Sequence, residues 1–116
     1  MVYYIRAKSY YKYAEGLYKE LLQYSEKGEK FQKKAQEIFQ IALKSIWALS
    51  QITSVSRSPD FEEIWQEVKK SLDPEEIKKI ENAKKIVFSS QAKEEEIIEA
   101  LRETFEVIRN ILSPIL

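Results

Sequence analysis

From Tyr3 to Tyr24, apolar residues recur at gaps of four and three: Tyr3, Ala7, Tyr10, Ala14, Leu17, Leu21 and Tyr24. That rhythm places a side chain on one face of an α-helix at every turn, so the chain is expected to open with a helix over about residues 3–25. Tyr4, Tyr11 and Tyr18 repeat every seven residues beside the stripe and widen it, while Lys8, Lys12, Glu15 and Lys19 occupy the opposite side. Gly28 follows in the only turn-like break nearby, where a glycine suits a left-handed helix cap. A second helix is expected over about residues 30–51, with Phe31, Ala35, Ile38, Ala42, Ser45, Leu49 and Ile52 as its stripe. Between Ile38 and Leu49 only Gln40, Lys44 and Ser45 are polar, and Ile41, Trp47 and Ala48 fall outside the stripe. A helix apolar nearly all round is buried on several sides, which makes this one the expected centre of the fold.

The remaining pattern comes in shorter runs. Thr53 to Ser58 reads as a polar loop. Ser58-Pro59-Asp60 reads as an N-cap, a proline in the first helical position and an acid at the positive helix end. Phe61, Ile64, Trp65, Val68 and Leu72 give a short third helix its inward face. Asp73-Pro74-Glu75-Glu76 repeats the start signal, with Asp73 as cap and Glu76 at the capping-box position. Ile77, Ile80, Ala83 and Val87 carry a fourth helix, and Ser89-Ser90-Gln91 interrupts it. A fifth is expected over about residues 92–112, with Ile97, Ile98, Leu101, Phe105, Ile108 and Leu112 inward, stopping at Ser113-Pro114. No segment alternates with period two. The expectation is an all-α, up-and-down bundle of four to five helices, forming a single domain over residues 1–116.

Composition narrows the chemistry more than the fold. The chain has no Cys and no His, which excludes disulfides and thiolate sites and removes the commonest general base and zinc ligand. With only 2 Gly it holds no glycine-rich phosphate loop, and no motif for a cofactor is present. No apolar run approaches the roughly 20 residues of a membrane span, and the first residues lack the apolar core of a signal peptide. The expected location is therefore the cytoplasm. Fifteen Lys and 17 Glu dominate the charge, beside 2 Asp and 4 Arg, a bias that matches hyperthermophile composition.

The net charge of zero hides a division. Residues 1–58 hold ten basic and five acidic residues; residues 59–116 hold nine and fourteen. All 7 Tyr lie in the first 24 residues, on the basic side. Tyrosines interleaved with Arg6, Lys8, Lys12 and Lys19 offer stacking rings beside phosphate-binding cations, as in single-stranded nucleic-acid binders. The same tyrosines fit a packed stripe whose hydroxyls reach the rim, or a helix–helix interface between subunits, and Ala7 and Ala14 favour close helix packing. Lys27, Lys30, Lys33 and Lys34 cluster at the start of the second helix, against its dipole. They suit either an anion site or a solvated end relieved by Glu26, Glu29 and Glu37. Arg6, Lys8, Lys12, Lys19, Lys27, Lys30, Lys33 and Lys34 are thus the candidate surface for a partner or nucleic acid.

Catalytic and metal chemistry find little footing. Glu94, Glu95, Glu96 and Glu99 stabilise a helix start without further purpose, and a Glu95–Glu99 cation site lacks the histidines of di-iron bundles. Ser9 and Lys12 match a Ser-x-x-Lys spacing without its companion motifs. Trp47 and Trp65 are expected in the core, although a pocket lined by them and tyrosines is the alternative.

Two segments carry a family resemblance. Gly28 to Leu49, with its small or acidic turn, spaced alanines and Lys44-Ser45-Ile46-Trp47-Ala48-Leu49 end, resembles the second helix of archaeal PaREP-type proteins and the related HEPN domains. Ala83 to Phe88 followed by Glu94 to Leu112 is similar in layout to the later helices of that group. The resemblance implies a helical bundle, frequent dimerisation, and RNA binding or cleavage in toxin–antitoxin and defence systems. Active HEPN members carry an Arg-x4-6-His motif. This chain has no His, and Val87 stands where PaREP-type sequences often place one. The resemblance therefore implies a binding or structural member and transfers no catalytic residue. The functional expectation is a non-enzymatic helical interaction module that self-associates, a homo-dimer being favoured. RNA or single-stranded nucleic-acid binding is the alternative, as is a small helical subunit of a ribonucleoprotein or defence assembly.

Overall fold

The computed structural model describes residues 2–24, 28–50 and 59–116. Its elements are α1 (Val2–Leu22), α2 (Glu29–Leu49), α3 (Phe61–Lys69), α4 (Pro74–Val87) and α5 (Glu94–Leu112), followed by a 3₁₀ turn over Ser113–Ile115. Among the described residues there is no strand, and no helix is long and apolar enough to cross a membrane. The protein is an all-α bundle.

Local chemistry sets the helix starts. Asp73 accepts from the Glu76 N–H at 2.8 Å while the Glu76 carboxylate accepts from the Asp73 N–H at 2.9 Å, a reciprocal capping box with Pro74 in the first turn. Asp60, not Ser58, caps α3, accepting from the Glu63 N–H at 2.9 Å. An aspartate placed three residues before a free N–H satisfies it, so Pro59 stays outside the helix and α3 begins at Phe61. Ser58 itself, like Ile52, lies outside the described residues. The α5 start moves to Glu94 because the Glu96 carboxylate accepts from the Lys93 N–H at 2.9 Å. Gly28 adopts φ 78°, the positive value expected of it, but with ψ −133° it is the N-cap of α2 and not the end of α1. Its carbonyl takes the first bond of α2, from the Gln32 N–H at 3.0 Å.

Helix α2 sits at the centre. Ten of its 21 residues are buried, including Trp47 and Ala48 from outside the predicted stripe. Ser45, fully buried, donates its hydroxyl to the Ala42 carbonyl at 2.5 Å and so carries no unsatisfied group into the core. Helix α1 runs antiparallel along α2, with Tyr24 beside Lys34 at one end and Tyr10 beside Lys44 at the other. Phe39 of α2, Phe61 of α3 and Phe88 after α4 meet with ring centroids about 6 Å apart, joining three elements. The Gln32 amide donates to the carbonyls of Val87 (3.2 Å) and Ser89, and the Gln36 amide to Val87 at 3.4 Å. Two α2 side chains thus satisfy carbonyls at the end of α4, where a helix leaves them unpaired. The buried apolar residues of all five helices form one cluster.

Candidate interaction surface

On α1 the inward face is rotated relative to the predicted stripe. Ala7, Ala14 and Leu21 are buried as expected, but Tyr10, Leu17 and Tyr24 are only partly covered, whereas Tyr11, from the flanking heptad, is 4% exposed. The cause is a second neighbour. Phe105 of α5 meets Tyr11 edge-on at 6.0 Å and Tyr18 at 5.2 Å, which draws the heptad flank inward. Tyr4 and Tyr13 remain outside at 39% and 58% exposure, with Ile5 and Leu22 also exposed. Tyr10, Tyr11, Tyr18 and Tyr24 therefore pack against the core, whereas the exposed Tyr4 and Tyr13 lie nine residues apart on opposite sides of α1.

The candidate cations do not form one patch. Lys8, Lys12 and Lys19 are exposed and share a face, at spacings of four and seven. Lys19 borders the α1–α5 groove, while Arg6 is partly covered. Lys30, Lys33 and Lys34 project from the start of α2. Lys33 lies 3.9 Å from Glu29, and Lys34 sits over the Tyr24 ring at 5.3 Å. Lys34 also lines a cavity of about 160 Å³ between α1 and α2, with Leu17, Leu21 and Ile38 as its apolar wall. Lys27 lies outside the described residues. The described members of the predicted set are thus split between α1 and the start of α2.

A network invisible to sequence reasoning ties α1 to α5. The Arg109 Nε–H donates to the Tyr11 hydroxyl at 3.0 Å, and that hydroxyl donates to Glu15 at 3.3 Å. Two turns earlier on α5, Arg102 holds Glu99 through two bonds, its Nε at 3.0 Å, and also reaches Glu106. The Arg102 hydrogen bond holds Glu99 below the usual carboxylate range, and the two glutamates raise Arg102. Hydrogen bonding to Tyr11 likewise raises Arg109. Burial pushes the Tyr18 phenol up, against the pull of Arg102. Glu99, which a cation would have had to share with Glu95, is thus already committed to Arg102.

The tryptophans go to the core, at 7% and 4% exposure. Lys44 covers Trp47 at 5.9 Å and Tyr10 at 5.1 Å, and Lys69 covers Trp65 at 5.6 Å. Trp47 borders an open groove with Pro59, Asp60, Glu62, Glu63 and Glu67, an acidic setting without a tyrosine. Among the described residues no group of three or more carboxylates is arranged to hold a metal ion. No family model matches the chain, and no curated protein or solved structure matches it.

Proposed function

We propose that the protein is a non-enzymatic helical interaction module that associates with copies of itself. One observation carries the reading. Helix α1 exposes Tyr4, Ile5 and Leu22 beside its Lys8–Lys12–Lys19 face, while the outer side of α5 presents Glu95, Glu99, Glu103 and Glu106. Apolar side chains beside separated charges of both signs suit contact with a like molecule. A general acid or base works best with a pKa near the ambient pH. Tyr18, Glu99, Arg102 and Arg109 are each displaced away from neutrality, which favours structural pairing over proton transfer. Native mass spectrometry across salt concentrations tests the reading: dimers are expected at low salt, and a strict monomer at tens of micromolar overturns it.

Kinship with PaREP-type and HEPN-like bundles belongs to the same proposal. At the position where a family histidine is often found, Val87 is fully buried and its carbonyl receives Gln32 and Gln36, a core role. RNA binding is the second reading, favoured by Lys8, Lys12 and Lys19 lying on one exposed face. An electrophoretic shift with a mixed RNA pool at low salt decides it, because counterion release favours binding most there.

A further inference from the structure

We infer that the cavity between α1 and α2 binds a small primary ammonium, an amine carrying one positive charge on an apolar body of about six carbons. The inference goes beyond the self-association proposed above and stands whether or not the chain pairs.

The antiparallel register of the two helices builds the site. Tyr24 lies beside Lys34 and Tyr10 beside Lys44, so Glu20 of α1 comes level with Glu37 of α2. The next residue on each helix, Leu21 and Ile38, is 2% exposed, and these two form the floor. Leu17 bounds the cavity one turn back along α1. Tyr24 and Lys34 bound the other end, with the Lys34 ammonium over the ring at 5.3 Å. The floor is therefore apolar and the rim charged.

Size and charge select the ligand. The cavity measures about 160 Å³. An apolar cavity of about 150 Å³ accommodates a benzene molecule in a protein interior. The rim carries the carboxylates of Glu20 and Glu37 against the single ammonium of Lys34, an excess of negative charge. Among the described residues neither glutamate has a hydrogen bond or an ion pair, and the neighbouring Lys33 is drawn to Glu29 at 3.9 Å. Two carboxylates set level across a helix seam repel each other, and a cation between them relieves that. An ammonium has three donors, enough to reach both, while its apolar body lies on Leu17, Leu21 and Ile38. With the Tyr24 ring taken by Lys34, the ligand's charge belongs between the carboxylates. A divalent metal ion suits the place less well, since it takes a fuller shell of oxygens and gains nothing from an apolar floor.

Benzylammonium is the probe. Methyl NMR of the wild-type chain is expected to show Leu17, Leu21 and Ile38 shifting together, with a Kd in the millimolar range of so small a ligand. E20Q/E37Q changes two exposed positions and is expected to weaken binding about tenfold or more, with the circular dichroism unchanged. Leu17→Trp keeps both carboxylates but fills the space, and is expected to abolish binding. Benzoate, with the same body and the opposite charge, should leave the methyls unmoved. Methyls that stay still at tens of millimolar benzylammonium overturn the site. Benzyl alcohol binding as tightly as the amine, or a double variant binding like wild type, shows a dent indifferent to charge and overturns the ligand class. Displacement of the amine by magnesium chloride at matched ionic strength marks a metal site and overturns it too. None of these readouts depends on oligomeric state, so failure of the ligand and failure of self-association are told apart.

Discussion

At the scale of single residues, the two glycines make opposite demands. Gly28 sits at φ 78° and ψ −133°, a region that side chains avoid, although a Cβ there would meet nothing within 4 Å. The cost of Gly28→Ala is therefore backbone strain alone, about 1–2 kcal/mol. Gly16 lies in the middle of α1 with open space around it, and Gly16→Ala is expected to stabilise by about 0.5–1 kcal/mol. Denaturant unfolding of both variants measures the contrast, and equal shifts of one sign would contradict it. Glu99 supplies a pH dependence. Its folded pKa is depressed below the ordinary 4.5, so its stabilisation is present above that pH and lost as pH falls through the folded value. In Arg102→Met the carboxyl should titrate in the ordinary range, and the stability gap from wild type should close on acidification below 4.5. Carboxyl NMR titration reads the first effect, and an unmoved Glu99 would refute the assignment.

Among the helices, the start of α4 is legible because every part of it is local: Asp73, Pro74 and Glu76 bond within four residues of one another. The α3 start is misread by one feature. Two adjacent capping types, Ser58 and Asp60, flank a proline, and only the three-residue reach of Asp60 to the Glu63 N–H selects between them. The rotation of α1 is not legible at all, because its cause is Phe105, more than eighty positions away. The same holds for the clamp of Gln32 on Val87 and Ser89, across 55 and 57 positions. In the sequence Gln32 and Gln36 look like ordinary solvent-facing helix residues. Gln32→Ala should cost about 1–2 kcal/mol by leaving partly buried carbonyls without their donor, and Gln36→Ala less, since its single bond is longer. Thermal unfolding ranks them, and equal costs near zero would show that water replaces the clamp.

For the molecule as a whole, the burial of α2 sets an order of stability. Every other helix packs on it, directly or through the shared cluster. Its central amides are therefore expected to exchange only by global opening, whereas α3, a nine-residue helix with three buried side chains, opens locally. Native-state hydrogen exchange checks this, and an α2 less protected than α3 would contradict the central placement. The all-helical class and the central helix follow from periodicity and apolar excess, which one sequence displays. The candidate surface was legible only in part. Helical spacing groups Lys8, Lys12 and Lys19, but the separation of these from Lys30, Lys33 and Lys34 depends on which side of α1 each neighbour occupies. Arg102 and Arg109 escaped notice because their partners are defined by the approach of α5 to α1.

The bundle also has an optical asymmetry. Every tyrosine belongs to the first 24 residues, and the two tryptophans belong to α2 and α3. Lys44 spans the junction, over both Tyr10 and Trp47. Light absorbed by the tyrosines of α1 should pass to tryptophan while α1 is seated, and separate tyrosine emission should emerge when it lifts away. Detachment of that one helix thus becomes visible without any label. A tyrosine signal appearing before the tryptophan band moves to the red would mean that α1 leaves first, whereas coincident changes would mean that the bundle unfolds as a unit.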